Sequence, residues 1–201
     1  MRNTTILFIE DDHDIQQDPL IIEIKELFQS VIFFDEPTKA IQYIKENHTN
    51  KIIIMLDLAF PAYQPNGHKI LETIREFSFL IPIIIFSGRP EDSEPFADLI
   101  NNKAFAFVKK DSSSEDVIKT LIEADEYLNS DVPSALEEWI NIHSDEEKGK
   151  PFIKTSEGKT LTLNEILNEI RLETAMGKEF SKNLLKLTID LLSRNKERFN
   201  G

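Results

Sequence analysis

Five short apolar runs, each followed by a segment of helical periodicity, occupy the first 130 residues and constrain the fold more than any other feature. The runs are "TILFIE", "VIFFD", "KIIIMLD", "IPIIIFS" and "KAFAFVKK". The segments after them are "DPLIIEIKELFQS", "EPTKAIQYIKENH", "NGHKILETIREF", "SEPFADLINN" and "SSSEDVIKTLIEADEYL", the last opening on serines suited to an N-cap. Strands that alternate with helices of this length form βαβ units, whose right-handed crossovers build a doubly wound parallel sheet with helices on both faces. The expected class is α/β: a flavodoxin-like five-stranded sheet of order 2-1-3-4-5, which suits a domain of about 125 residues, followed by a small, mainly helical module.

In that order the first and third strands are neighbours, so the residues that end them converge. Ile52 to Leu56 in "KIIIMLDLAFP" form the continuous apolar run of a strand buried on both faces, and Asp57 follows at its carboxyl end. Open α/β sheets bind ligands at that end, so Asp57 is either a functional carboxylate or an ordinary loop acid. The first strand ends in Glu10, Asp11 and Asp12. Several carboxylates at one sheet edge repel one another unless a cation joins them, and hard oxygen donors that leave room for water favour Mg²⁺. A helix N-cap explains one of these acids and not all of them.

The 201 residues include no cysteine, which removes disulfides, thiolate zinc sites and cysteine nucleophiles together. No apolar run approaches the roughly 18 residues of a membrane span. "MRNTTILFIEDD" also turns acidic where a signal peptide needs its apolar stretch, so a cytoplasmic chain without membrane contact is expected. Residues 1–144 hold 12 Lys/Arg against 26 Asp/Glu, a net of −14, whereas 145–201 hold 11 against 10, a net of +1. The two segments are different modules, and the first repels a phosphate backbone, which disfavours nucleic acid as a partner. His13, His48, His68 and His143 show no paired metal-ligand spacing, and neither a Walker glycine loop nor a Ser-His-Asp order is present.

Four motifs in order resemble the receiver domain of two-component response regulators over roughly residues 4 to 128. "ILFIEDD" is similar to that family's first strand and acidic pair, and "MLDLAFP" to its strand, phosphoacceptor aspartate and downstream proline. "IIFSG" is similar to its fourth strand ending in a hydroxyl and a small residue, and "FVKK" to its aromatic and lysine on strand five. The resemblance implies that Glu10 and Asp11 bind Mg²⁺ together with Asp57 and the backbone carbonyl of Ala59, and that Asp57 accepts a phosphoryl group. It implies that Ser87 hydrogen-bonds a phosphoryl oxygen beside Gly88, and that Ser87 and Phe107 form the switch. Lys109 and Lys110 alternate in facing along a strand. Aligning Ala104 with the family's alanine before strand five puts Phe107 at the aromatic and Lys110 at the phosphate-binding lysine. This chain departs from the pattern in four places. Glu10 replaces the commoner aspartate, Lys103 the glycine before strand five and Asp111 the proline after the lysine, and "AFPAYQPNG" makes the spacing from Asp57 to Gly67 two residues longer.

After the receiver segment, 1–128, residues 129–150 read as a helix, "DVPSALEEWINIHS", and a polar linker, "DEEKGKP"; 151–201 read as a small interaction module. "PFIKTSEGKTLTL" suits a hairpin around Glu157-Gly158, and Thr162 and Glu165 have capping-box spacing ahead of "NEILNEIRLETAM". Gly177 is expected to separate that helix from "KEFSKNLLKLTIDLLSRNKERFNG". The final helix carries two apolar stripes, Phe180, Leu184, Leu187 and Leu191, and Leu185, Ile189 and Leu192. One stripe covers the module's own core and the other faces either that core or a partner.

The expected function is a phosphorylation-controlled switch whose partner is a histidine kinase or phosphotransfer protein, and whose output is a homodimer or another protein bound through the C-terminal helix. Such a chain catalyses only its own phosphoryl transfer and slow autodephosphorylation. The rival readings are a DNA-binding regulator, for which no Arg/Lys cluster marks a recognition helix, and a scaffold that works without phosphate. A metal-dependent phosphohydrolase needs a second acid two residues after Asp57, where Ala59 stands.

Overall fold

The computed structural model describes residues 1–47, 50–88, 103–130, 132–155 and 158–199, the last ten of these by backbone alone. The chain divides into two compact units, Met1–Asn129 and Ser130–Gly201. The first contains β1 (Arg2–Ile9), α1 (Pro19–Leu27), β2 (Phe28–Phe34), α2 (Pro37–Asn47), β3 (Ile52–Leu56), α3 (Gly67–Arg75), β4 (Ile83–Ser87), β5 (Ala106–Lys109) and α4 (Ser114–Ser130). The strands form one parallel sheet of order β2-β1-β3-β4-β5, the expected flavodoxin-like arrangement. The helix expected over "SEPFADLINN" lies outside the described residues.

Period-2 alternation explains why the strands read as unbroken apolar runs. Ile6, Phe8, Ile53, Met55, Ile84 and Phe86 pack on one face against Leu20, Ile21 and Ile24 of α1 and Val117 and Leu121 of α4. Leu7, Ile9, Ile54, Leu56, Ile83 and Ile85 pack on the other against Ala40 and Ile44 of α2 and Ile70, Leu71 and Ile74 of α3. Helix starts follow local chemistry. Asp18 caps α1 with Pro19 at its first position, Asn66 accepts the Lys69 N–H at the head of α3, and Ser113 accepts the Asp116 N–H at the head of α4.

Two buried charges tie the end of the sheet away from the strand carboxyl termini. Asp125 of α4, almost fully buried, accepts hydrogen bonds from Arg2 at 2.5 Å and from Thr4 of β1. Arg75 at the end of α3 donates to the carbonyls of Ser78, Ile81 and Lys103, joining α3 to the turns before β4 and β5. Lys103 adopts φ +52°, so the position before strand five keeps the left-handed backbone that favours glycine, and its ammonium lies over the Phe79 ring.

The second unit contains α5 (Val132–Asn141), α6 (Asp145–Lys148), the antiparallel hairpin β6 (Pro151–Lys154) and β7 (Thr160–Thr162), α7 (Leu163–Arg171) and α8 (Ala175–Phe199). The segment read as a polar linker contains α6, whose capping box joins Ser144 and Glu147. Residues 130–150 belong to this unit: Leu136 and Ile140 are buried, and Glu137 accepts from Arg171 at 2.6 Å. Gly158 turns the hairpin at φ +86°, and Thr162 and Glu165 form the expected capping box.

Gly177 does not break the helices apart. The break comes earlier, at Glu173 with φ +46°, and Gly177 lies inside α8, where a Cβ would stand 2.2 Å from the Glu169 carbonyl oxygen and 2.8 Å from the Ile170 nitrogen. Glycine is there so that α8 can pack on the backbone of α7. Among the described side chains of α8, Ser181 is buried and Phe180 and Leu184 are half-buried. Leu185, Leu187 and Ile189 are exposed, so Leu187 leaves the packed stripe to which its spacing assigned it. No described helix is long and apolar enough to cross a membrane.

Gly177→Ala separates local preference from packing. Alanine gains about 1 kcal/mol of helix propensity, yet the clash is with backbone and costs about 1–3 kcal/mol. The expected outcome is a lower urea midpoint for the second unit, followed through the fluorescence of Trp139, the single tryptophan. A higher midpoint would contradict the close approach of the two helices.

Candidate functional site

Registration of β1 with β3 builds the site. Ile9 pairs with Leu56, so the next residues, Glu10 and Asp57, leave the sheet side by side. The Asp57 N–H donates to the Ile9 carbonyl at 3.0 Å, which locks that level. Both carboxylates are about 5% exposed, Asp11 is half-buried, and one oxygen from each of the three lies within 4.8 Å of the others. Asp12 turns away and caps the short 3-10 turn at His13–Gln17. The bland reading of one acid as a cap therefore holds for Asp12 alone.

The positive charge comes from the far side of the sheet. Lys110, just past β5, places its ammonium 3.1 Å from Asp57 Oδ2 and in direct contact with Glu10 Oε2, while Lys109 points to solvent. The lysine that the register from Ala104 picks out is the one that reaches the pocket, and its contact with Glu10 was not foreseen. The other Asp57 oxygen, Oδ1, accepts the Leu58 N–H at 2.7 Å. Ser87 ends β4 buried, and Gly88 is exposed. A Cβ at Gly88 would meet no described atom within 4 Å. Phe107 stands opposite Ile85 and packs, half-buried, on the α2/α3 face. Ala59 is half-buried in the loop that follows Asp57.

That loop is longer than the resembled pattern, but its ends are fixed. Gly67 donates its N–H to the Leu58 carbonyl at 3.2 Å, and a Cβ on it would stand 2.3 Å from the Asp57 carbonyl oxygen. α3 is thereby seated directly on the backbone of the phosphoacceptor candidate, and the extra length is taken up at the surface, where Tyr63 is 84% exposed. Sequence reasoning used Gly67 only as a spacing marker; the signal for its role was a glycine placed right after a capping asparagine, where helix chemistry has no need of one.

The response regulator receiver domain family matches residues 6–122. The chain belongs to that family. Solved receiver structures share the fold at low identity. A DNA-binding response regulator of the LuxR family from Staphylococcus aureus is 23% identical, over 61% of this chain and 98% of that one, with a TM-score of 0.52. The signal receiver domain of a putative Luxo repressor protein from Vibrio parahaemolyticus is 19% identical, over 71% and 100%, with a TM-score of 0.56. A response regulator receiver domain protein from Clostridium thermocellum is 20% identical, over 61% and 94%, with a TM-score of 0.54. No curated protein matches the chain.

The receiver's acidic pocket fits a small hard cation. Its donors are carboxylate oxygens drawn within a few ångströms of one another, and the Lys110 ammonium already bridges two of them, so the cluster accepts positive charge at its centre. Burial pushes the Glu10 carboxyl above the ordinary carboxylate range; the Lys110 hydrogen bond opposes that and the Asp57 charge adds to it, and the net direction is upward. Burial pulls Lys110 down, but its hydrogen bond with Glu10 and the charges of Asp57 and Glu10 outweigh it, and its pKa is raised.

The signs of these shifts differ in consequence. A carboxyl raised on folding binds its proton more tightly in the folded state, so Glu10 erodes stability as pH rises from the ordinary carboxylate range through its raised pKa. Lys110 contributes stability that is fully present below the unfolded lysine pKa and is lost only as pH rises through the raised value. Lys110→Ala leaves two buried carboxylates unneutralised and is expected to cost about 1–3 kcal/mol at pH 7.5, less than a fully buried pair because the ammonium is partly exposed. The deficit is expected to shrink toward pH 5 as Glu10 takes up a proton. Urea midpoints of wild type and variant at the two pH values check this, and an equal gap at both would contradict it.

Proposed function

We propose that the chain is a Mg²⁺-dependent phosphoryl acceptor and that phosphorylation of Asp57 switches how it associates with protein. The observation that carries this reading is the burial of Asp57 at the carboxyl end of β3, beside Glu10 and Asp11 and 3.1 Å from the Lys110 ammonium. An aspartate carboxylate is a competent nucleophile toward phosphorus. One of its oxygens forms the new O–P bond while the bond from phosphorus to the donor breaks, and the donor leaves with that electron pair. The donor fitting this chemistry is a histidine kinase or a phosphotransfer protein. Glu10, Asp11, Asp57 and the Ala59 carbonyl would hold Mg²⁺, whose charge offsets that of the transferring group.

The residues around Asp57 then decide what the new charge does. Phosphorylation adds about −1.5 to −2 charges to a pocket already acidic, so the product persists only if cationic and hydroxyl groups close on it. Lys110 exchanges Glu10 for a phosphoryl oxygen, and Ser87 supplies the hydroxyl at the end of β4. Ser87 drawing in on the new charge opens space toward which Phe107 turns, altering the surface around β5 and the start of α4. The chain has no external product and works in the cytoplasm, and its output passes through protein association by the second unit.

Exposure to acetyl phosphate and Mg²⁺, followed by intact-mass measurement, tests the reading. One phosphoryl adduct is expected, absent in Asp57→Asn, absent without Mg²⁺ and formed more slowly in Lys110→Ala. An unmodified wild type would contradict it in favour of a scaffold that works without phosphate.

A further inference from the structure

The second unit holds a groove of about 530 Å³ between the hairpin, α7 and the first half of α8, with Ile153, Leu161 and Ile166 on its floor and Met176, Phe180 and Asn183 along its α8 wall. The same face of α8 runs on past the groove into solvent. Leu187 lies seven residues after Phe180, two helical turns on, and so stands on that face with its side chain 52% exposed. Leu185, five residues after Phe180, is turned about 140° away. One helix face therefore carries a cavity in its first half and a projecting apolar side chain in its second.

We infer that α8 pairs antiparallel with α8 of a second copy, each Leu187 entering the groove beside the other copy's Phe180. The pairing rests on the reading of the second unit as an association module. A cavity and a projection on one face, seven residues apart, satisfy each other reciprocally only about a two-fold axis, here passing near Asn183 and Leu184. Charge agrees with that geometry. Glu179 rims the groove, and Lys186 follows it by the same seven residues on the same flank of α8, so each copy's Lys186 meets the other's Glu179. Leu187 on that face also needs cover: a short helix is marginal in water without a packed apolar face.

Sedimentation of the full chain tests the pairing. A dimer is expected for wild type and for Asp57→Asn. Leu187→Glu is expected to be monomeric, still folded by Trp139 fluorescence and with an unfolding midpoint that no longer depends on concentration, and Leu185→Glu to remain dimeric. Glu179→Lys is expected to weaken the dimer about tenfold, and adding Lys186→Glu to restore it. A wild-type monomer at about 100 µM, weaker than a specific interface delivers, would overturn the pairing, as would a dimer that survives Leu187→Glu or dissociates with Leu185→Glu. Uptake of an apolar dye into the groove of a monomeric chain would assign the groove to a small ligand and overturn it as well. A monomer that still takes phosphate at Asp57 rejects the pairing alone; a dimer that takes none rejects the proposed function alone.

Discussion

The pairing of Ile9 with Leu56 is the contact on which the site depends. One residue beyond that pair, two carboxylates emerge together from strands buried on both faces, and no water-rich surface is available to separate them. Like charges so placed are tolerable only with a cation between them, and Lys110 reaches across from β5 to serve as one. The rest of the receiver holds this arrangement at a fixed level. Gly67 seats α3 on the Asp57 backbone, while the Arg75 and Asp125 clusters brace the opposite end of the sheet. The pocket is thus held at one end of a rigid slab, and a change of charge there must be absorbed by side chains and the loops that carry them.

Much of this could be read from the chain because the determinants are local in sequence. Apolar runs of five residues ending in acids specify strands buried on both faces and the edge at which the acids appear, and of the doubly wound orders the flavodoxin-like one suits a domain of about 125 residues. Lys110 was separated from Lys109 by the resembled family's pattern, with Ala104 aligned to its alanine before strand five. What could not be read depends on distances between segments far apart in sequence. Nothing local to Lys110 reveals that Glu10, a hundred residues earlier, takes its ammonium in direct contact. Gly177 misled for a related reason. A glycine beside a helix reads as a terminator, but here it is kept for the close approach of α7, and the terminator is Glu173 in a left-handed conformation. The Lys103 substitution went the other way: the backbone retained the conformation that glycine favours, with the aromatic ring of Phe79 beneath the lysine.

The second unit follows a different logic. Its charge is nearly balanced, its core is a hairpin and two short helices against the start of α8, and that helix leaves Leu185, Leu187 and Ile189 exposed. A nearly neutral module whose longest helix exposes several apolar side chains is poorly suited to a phosphate backbone and better suited to protein. On the proposed reading, phosphoryl chemistry and association fall to separate units of one chain, each with its own determinants.

Calorimetric titration of Mg²⁺ into the full chain, compared across wild type, Glu10→Gln, Asp57→Asn and Lys110→Ala, tests most directly whether the β1 and β3 carboxylates act as one centre. The expected result is a single site in wild type, weakened by either carboxylate substitution and retained with tighter binding when the competing Lys110 ammonium is removed. Affinity unchanged by Glu10→Gln and Asp57→Asn, or lost in Lys110→Ala, would contradict a shared carboxylate centre in which lysine and metal compete for the same oxygens.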